Sequence, residues 1–150
     1  MSDYEFTMSL RIRHPDIDPA MITRTLGLQP QHTWRAGDER KSSVGDSANG
    51  TYRESYWVCG LMSEPKLATE HIGVESELQQ VLGTLRRSFD FLQSLQSGGG
   101  TTEVYISIFA REEFRIELLA EVAALMGRLG ITMAIEVKPH SAAASVPPVL

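Results

Sequence analysis

Length, composition and charge bound what this chain can be. It has 150 residues, 42% hydrophobic and 22% charged, which is the usual size and mix of one globular domain. The formal net charge of −5 disfavours binding to phosphate backbones, so no nucleic acid partner is expected. Cys59 is the only cysteine, which excludes an intramolecular disulfide and favours a reducing compartment.

Neither a secretory signal nor a membrane-spanning segment is predicted. The first residues lack a basic region followed by an apolar run, and charged residues interrupt the most apolar window, from Ile116 to Val137. We therefore expect a cytoplasmic protein without a membrane partner. Residues 1–140 are expected to form a single α+β domain, and the Ala, Ser and Pro-rich tail at 141–150 is expected to be disordered.

The N-terminal third has the pattern of a strand, a short helix and a second strand. Four apolar residues alternate with polar ones at the start, which is typical of a strand with one buried face: Phe6, Met8, Leu10 and Ile12. Asp18 is placed to cap a helix that begins at Pro19, and Gly27 is placed to end it. A short extended piece from Pro30 to Trp34 is expected next.

A loop and a third strand are expected before the first long helix. The polar run from Gly37 to Asn49 predicts an exposed loop, and Asn49-Gly50 predicts a tight turn at its end. The aromatic segment from Tyr52 to Cys59 then predicts a strand.

The rest of the chain alternates between helices and strands according to its hydrophobic periodicity. The predicted elements are a helix over 74–85, a helical segment over 88–95 that stops at the glycines 98–100, a strand over 104–109, a helix over 112–129 and a strand over 131–137. The order β-α-β-β-α-β-α-β favours an α+β fold. We expect a two-layer sandwich with a ferredoxin-like β-α-β-β-α-β core, an additional C-terminal helix and strand, and all helices on one face of the sheet.

If the helices cover the sheet face that carries Phe6 and Ile106, the opposite face is half polar and half aromatic. Its predicted residues are Arg11, Arg13, Tyr105, Ser107, Phe109, Thr132 and Glu136. Such a surface suits a ligand or a subunit interface, because apolar area supplies affinity and fixed charges supply orientation. An ordinary solvated face is equally consistent with the pattern.

The least ordinary stretch lies between Leu26 and Trp57 and holds both tryptophans. The candidate ligand-binding residues are Trp34, Arg35, Gly37, Asp38 and Arg40, with Arg11 and Trp57 as further candidates. An arginine offers a planar donor fork to an anion, a glycine allows close backbone approach, and a tryptophan supplies a stacking wall. The structural alternative is that both tryptophans pack in the core while Asp38 pairs with a neighbouring arginine.

Other signatures of catalysis or cofactor binding do not occur in the sequence. The four histidines are scattered without the spacing of metal ligands, and Cys59 in an apolar strand is typical of a small core residue. The glycines at 98–100 follow a helix and precede a strand, which is the reverse of a phosphate-binding loop. No catalytic residue, metal site or cofactor is therefore predicted.

Four motifs, in this order, carry a resemblance to a known family. They are a first strand leading into IDPAMITRTLGLQP, then TWRAGD, the YRESYW strand, and a last helix ending in LGITMAIEV. In these features, which span Phe6 to about Lys138, the chain resembles a bacterial family of small proteins known as the domain of unknown function four-two-seven-nine. The resemblance implies a shared fold and no established activity, so it transfers neither a catalytic residue nor a cofactor.

The sequence favours a non-enzymatic binding or regulatory module that holds a small anionic ligand with the cluster around Trp34. One alternative is a protein-protein interaction module, such as a toxin-neutralising protein whose acidic surface meets a basic partner. A third alternative is an enzyme: no constellation of acid, base and nucleophile is visible along the chain, and a convergence of His32, Asp38 and Arg53 in the fold is left open. A homodimer through a sheet edge or through the open face is also left open.

Overall fold

Three helical segments cover one face of a six-stranded, mostly antiparallel sheet in this mixed α+β protein. The structure is a computed structural model and describes residues 4–41 and 47–139. The strands are β1 (Tyr4–His14), β2 (His32–Trp34), β3 (Glu39–Lys41), β4 (Ser47–Thr51), β5 (Ser55–Gly60), β6 (Lys66–Leu67), β7 (Thr101–Ala110) and β8 (Ile131–Pro139). The helices are α1 (Pro19–Leu26), α2 (Val74–Leu85), α3 (Phe89–Ser97) and α4 (Ala120–Leu129), and a 3-10 turn over Arg86–Ser88 joins α2 and α3 into one segment.

The long strand β1 lies at the centre of the sheet. The strand order is β2-β5-β1-β7-β8, and β6 pairs with the beginning of β1. Neighbouring strands are antiparallel except β7 and β8, which are parallel and are connected through α4. β3 and β4 form a separate two-stranded sheet in the connection from β2 to β5. β2 and β8 therefore lie at opposite edges of the main sheet.

The alternation along β1 decides which side chains enter the core. Phe6 and Met8 are fully buried, and their partners on β7, Ile108 and Ile106, are buried as well. All helices contribute buried residues to this same core, so the face that the helices cover is the predicted one. The register also places every residue predicted for the open face on the opposite side of the sheet.

Helix α1 begins and ends at the predicted capping residues. The Asp18 carboxylate accepts a hydrogen bond from the backbone N–H of Ala20 at 3.0 Å, which satisfies one of the free amides of the first turn. Gly27 follows the helix with a φ of 70°, a left-handed conformation that glycine adopts without strain. Ile22 is buried and holds the helix against the sheet. The prediction for this element is confirmed.

The interpretation of residues 37–49 as an exposed loop is wrong in part. The described part of this stretch contains β3 and the beginning of β4, and Gly50, with a φ of 88°, lies inside β4 rather than in a tight turn. The strand predicted to begin at Tyr52 begins at Ser55. The polar strands β3 and β4 can pair because backbone hydrogen bonds do not require an apolar face. Hydrophobic periodicity indicates a strand only when one of its faces is apolar, so it missed these two.

The last helix begins eight residues later than the sequence predicts, at Ala120 instead of residue 112. Residues 111–119 have no regular secondary structure, and Phe114 packs with its ring centroid 5.0 Å from that of Tyr4. The backbone N–H of Glu117 donates to the Glu75 carboxylate at 3.1 Å. Tertiary packing therefore overrides the helical propensity of this stretch.

The short strand β6 was not predicted, because two residues show no periodicity. The tail predicted to be disordered, 141–150, lies outside the described residues. Among the helices of the described ranges, none combines the length and the apolar character that crossing a bilayer requires.

Candidate functional site

Trp34 forms an aromatic stack with two tyrosines on the open face of the sheet, at the β2 edge. Its ring centroid lies 4.2 Å from that of Tyr52 and 4.7 Å from that of Tyr56, and both pairs are stacked. An arginine approaches each tyrosine: Cζ of Arg13 lies 5.1 Å from the Tyr56 centroid, and Cζ of Arg40 lies 5.8 Å from the Tyr52 centroid. We call Trp34, Tyr52 and Tyr56 the aromatic stack.

Backbone pairing places the three rings together. Trp34 on β2 lies directly opposite Tyr56 on β5, so their side chains share one face of the sheet. The segment after β2 then turns back on Tyr52: the Gly37 N–H donates to the Tyr52 carbonyl at 2.9 Å, and the Tyr52 N–H donates to the Asp38 carbonyl at 2.9 Å. Gly37 has a φ of 93°, which favours glycine at this turn.

The Asp38 side chain stabilises this same turn. Its carboxylate accepts a hydrogen bond from the backbone N–H of Arg35 at 2.8 Å, and the Asp38 N–H donates to the Arg35 carbonyl at 3.0 Å. The Arg35 guanidinium extends instead toward Asp18, 3.6 Å away at the beginning of α1. Asp38 therefore stabilises the turn. Its carboxylate contacts the backbone N–H of Arg35, whereas the structural alternative expected it to pair with an arginine side chain.

Two clefts share Trp34 as a wall. The first, which we call the α1 cleft, has a volume of about 560 Å³ and is bordered by Thr23 and Arg24 of α1 as well as Asp18, Arg35 and Asp38. The second, which we call the Arg40–Arg53 cleft, has a volume of about 480 Å³. Its lining residues are Trp34, Arg40, Thr51, Tyr52, Arg53 and Glu54.

The arginines of the two clefts differ in how far they are neutralised. In the α1 cleft, Arg35 is paired with Asp18. The Arg40–Arg53 cleft has one acidic lining residue, Glu54, which pairs at 3.7 Å with Arg13, a residue that is not part of the lining. Within residues 4–41 and 47–139, neither Arg40 nor Arg53 forms an ion pair. In the part of the chain that the structure describes, these two exposed guanidinium groups thus have no carboxylate partner.

Two of the sequence-predicted site residues do not join this cluster. Trp57 is 0% exposed on the helix-covered face, where its Nε1–H donates to the Thr23 hydroxyl at 3.0 Å. The packed alternative for Trp57 therefore describes its position. Arg11 lies further along the open face, with its Cζ 3.7 Å from the Tyr105 ring centroid and its Nη1 3.9 Å from the Glu103 carboxylate.

Tyr105 also contacts a carboxylate beyond the cluster. Its hydroxyl donates a hydrogen bond to Glu136 on β8. This hydrogen bond, together with the positive charge of Lys138 nearby, holds the pKa of the Glu136 carboxyl below its usual value. The open face therefore carries a row of paired charges and rings between β1 and the β8 edge.

Sequence reasoning proposed neither Tyr52 nor Tyr56 as site residues and considered Arg53 only under the enzyme alternative, although all three lie beside Trp34 in the structure. A signal for Tyr56 is present in the alternation of the YRESYW motif, since Tyr56 must face away from the buried Trp57. No local pattern identifies Tyr52 or Arg53, because their position depends on the pairing of Tyr52 with the turn at Gly37 and Asp38.

Metal-binding and nucleophilic chemistry have no candidate constellation in the described ranges. No group of three or more His, Cys, Asp or Glu side chains comes together there. Cys59 is buried, and burial raises the pKa of its thiol, which disfavours the reactive thiolate.

Fold and site define a mixed α+β protein with an aromatic and arginine-rich surface at one sheet edge. The family described as a domain of unknown function, DUF4279, matches residues 4–140, and the chain belongs to this family. This match confirms the resemblance seen in the sequence motifs. No curated protein and no solved structure matches the chain significantly.

Proposed function

We propose that this protein is a binding module that holds a small anionic ligand, with a carboxylate or phosphate group, in the Arg40–Arg53 cleft. One observation carries the proposal: two guanidinium groups line a single cleft and have no ion-pair partner among the described residues. A guanidinium donates two parallel hydrogen bonds to a carboxylate or phosphate, and two arginines provide four such donors.

The aromatic stack would provide the apolar part of the site. Trp34 and Tyr52 form one wall of the cleft, and their stacking on each other leaves ring edges and the tyrosine hydroxyl for the ligand. Ring edges carry partial positive charge, which is favourable beside an anion. Gly37 and Asp38 would act indirectly, because their backbone hydrogen bonds hold Tyr52 in place.

The α1 cleft is the weaker candidate for the anion. Its Arg35 already faces Asp18, and Asp38 lies in the same lining, so an incoming anion would meet two carboxylates there, against the single carboxylate of Glu54 in the Arg40–Arg53 cleft. We therefore assign Arg35 to the border of the site rather than to direct contact with the anion.

The proposal is tested by thermal unfolding and calorimetric titration of the full chain with inorganic phosphate, pyrophosphate, citrate, succinate and benzoate at constant ionic strength. A ligand at one hundred times its dissociation constant stabilises the protein by about 2.7 kcal/mol. For a chain of this length that raises the melting temperature by roughly 5 to 11 °C. We expect at least one of these anions to bind.

Variants at the two arginines locate the binding. Arg40→Ala and Arg53→Ala should each raise the dissociation constant of the anion about tenfold or more, because a hydrogen bond to a charged group contributes about 1.5–3 kcal/mol. Arg87→Ala is the matched control, since Arg87 is also an exposed arginine and lies outside both clefts. A flat panel, or binding that survives in the double variant, would overturn the proposal.

We also propose that the fold is of ferredoxin-like type with an additional helix and strand. The strand order supports this proposal. If the two-residue strand β6 is set aside, the first four strands of the main sheet in chain order are β1, β2, β5 and β7, and they lie in the sheet as second, third, first and fourth, which is the ferredoxin-like order. The connections also support it, since α1 follows β1 and the α2–α3 segment follows β5. An experimental structure that revealed a different strand order would contradict this assignment.

A further inference from the structure

The outer edge of β8 has no neighbouring strand among the described residues. β8 spans nine residues and pairs only with β7, which leaves one row of its backbone N–H and C=O groups unpaired within the sheet. The opposite edge strand, β2, has only three residues. A long, unpaired edge strand is a template on which another strand can add.

Two apolar rows of the core reach this edge, and no described residue covers their ends. Phe6 and Ile108 are fully buried, whereas Val137, the next residue in the same row, is 52% exposed. In the adjacent row, the buried Ile106 is followed by Ile135, which is 41% exposed. Both exposed residues belong to the helix-covered face by register, so a strand added at β8 would extend the core over them.

The charged residues on the open face of β8 favour one kind of added strand over others. Glu136 and Lys138 lie on the open face on either side of Val137 and form an ion pair with each other at 3.6 Å within one chain. If two copies of β8 pair antiparallel about a two-fold axis at Val137, each Glu136 faces the Lys138 of the other copy. A parallel pairing in register would instead place Glu136 against Glu136, which is unfavourable. The edge is therefore self-complementary in one orientation.

We propose that a second copy of this chain covers the β8 edge in that antiparallel arrangement, so that one sheet continues across a two-fold symmetric dimer. Val137 packs against Val137 of the second copy, and Ile135 packs against its Pro139. On the open face, each Glu136 gains the Lys138 of the second copy in addition to the Lys138 of its own chain. The interface is isologous, as in most homodimers. It lies at the edge opposite β2, so it leaves the Arg40–Arg53 cleft open and does not depend on the proposed ligand.

Sedimentation equilibrium of the full chain over a concentration series tests the dimer. We expect a monomer–dimer equilibrium for the wild-type chain. Val137→Lys places two positive charges against each other on the axis and should raise the dimer dissociation constant about tenfold or more. Leu67→Lys is the matched control, because Leu67 is an apolar residue on a strand, 56% exposed and distant from β8 in the sheet, and it should leave the constant unchanged.

Charge exchange tests the register. Glu136→Lys and Lys138→Glu should each weaken the dimer, and the double variant E136K/K138E should restore it, because the opposite charges face each other again. The hydrogen bond from Tyr105 to Glu136 is lost in the double variant as well, so recovery cannot come from that contact. Circular dichroism and the melting temperature check that each monomer is folded.

The outcomes divide cleanly. A wild-type chain that stays monomeric up to its solubility limit overturns the proposal, and so does a Val137→Lys variant that dimerises as well as wild type. A dimer that does not recover in the charge-exchange variant overturns the arrangement about Val137. A dimer weakened by Val137→Lys, indifferent to Leu67→Lys and restored by charge exchange supports it.

Discussion

The two tryptophans illustrate how one residue of register separates a core side chain from a surface side chain. Thr33 lies opposite Trp57, and the next residue, Trp34, lies opposite Tyr56. Because side chains alternate between the faces of a strand, Trp57 enters the core, whereas Trp34 lies half-buried on the open face. Trp57 thus contributes to stability, and Trp34 lies on the surface that carries the aromatic stack.

Cys59 gives a test of the core at single-residue resolution. Its side chain is buried opposite Leu10 of β1, and burial raises the pKa of its thiol. Near pH 8 the native chain should therefore react with a disulfide reagent at least about a hundredfold more slowly than the unfolded chain, because reaction requires opening of the core. The measurement compares labelling rates in buffer and in concentrated urea.

The comparison has an internal control, since the chain contains no other cysteine. A short thiol peptide of the same local sequence, residues 55–63, gives the intrinsic rate under both conditions. Native-state labelling at the rate of the peptide would mean that Cys59 is accessible and that the packing of β5 against the helices is wrong.

At the scale of elements, the three glycines between α3 and β7 form a close contact rather than a flexible linker. A Cβ on Gly98 would lie 2.8 Å from Nε2 of His14, and a Cβ on Gly100 would lie 2.8 Å from the Arg13 carbonyl and 2.9 Å from the Leu95 carbonyl. The imidazole of His14 in turn accepts hydrogen bonds at Nδ1 from two backbone N–H groups of the β1–α1 turn. The glycines therefore let two turns pack against each other.

This contact predicts opposite effects for two Gly→Ala substitutions. Gly100→Ala should lower the free energy of unfolding by about 1–3 kcal/mol or more, because backbone atoms on both sides must move. Gly83→Ala, in α2, should raise it by roughly 0.5–1 kcal/mol, because alanine favours the helix and its Cβ meets no atom within 4 Å. Urea unfolding monitored by circular dichroism measures both. Equal effects of the two substitutions would contradict the packing of the glycine turn.

At the scale of the whole molecule, stability is expected to be highest at the sheet centre and lowest in the β3–β4 sheet. β1 has eleven residues, is paired on both sides, and contributes Phe6, Met8 and Leu10 to the core. β3 and β4 pair only with each other, with an irregular register between Glu39 and Lys41. Amides in β1 should therefore exchange with solvent only on global unfolding, and those of the β3–β4 sheet by local opening.

Native-state hydrogen exchange followed by mass spectrometry checks this order. Peptides from β1 and β7 should be the last to take up deuterium, and peptides over β3 and β4 should be among the first. The same data test the proposed ligand, since an anion in the Arg40–Arg53 cleft should slow exchange at Thr51 and Tyr52. Uniform exchange of β1 and the β3–β4 sheet would contradict this distribution of stability.

The amino-acid sequence by itself determined the local features of this protein. The period-two alternation in β1 identified its buried face, and Asp18 and Gly27 marked the ends of α1, because these signals lie within a few residues of one another. The family was recognisable for a similar reason, since its motifs are short and ordered along the chain. For the candidate site, the sequence indicated Trp34 and Arg40 through a local motif in which a tryptophan, two arginines, a glycine and an aspartate lie within seven residues.

Only the tertiary structure decided which distant residues meet. Tyr52, Tyr56 and Arg53 join Trp34 through pairings between β2, β5 and the turn after β2, and no periodicity within one element encodes such pairings. Residues 111–119 likewise pack on the core through the contact of Phe114 with Tyr4, so α4 begins at Ala120 although the local pattern favoured a longer helix. The reason is physical: propensity and periodicity act between near neighbours in sequence, whereas burial and strand pairing are decided between residues that only the fold brings together.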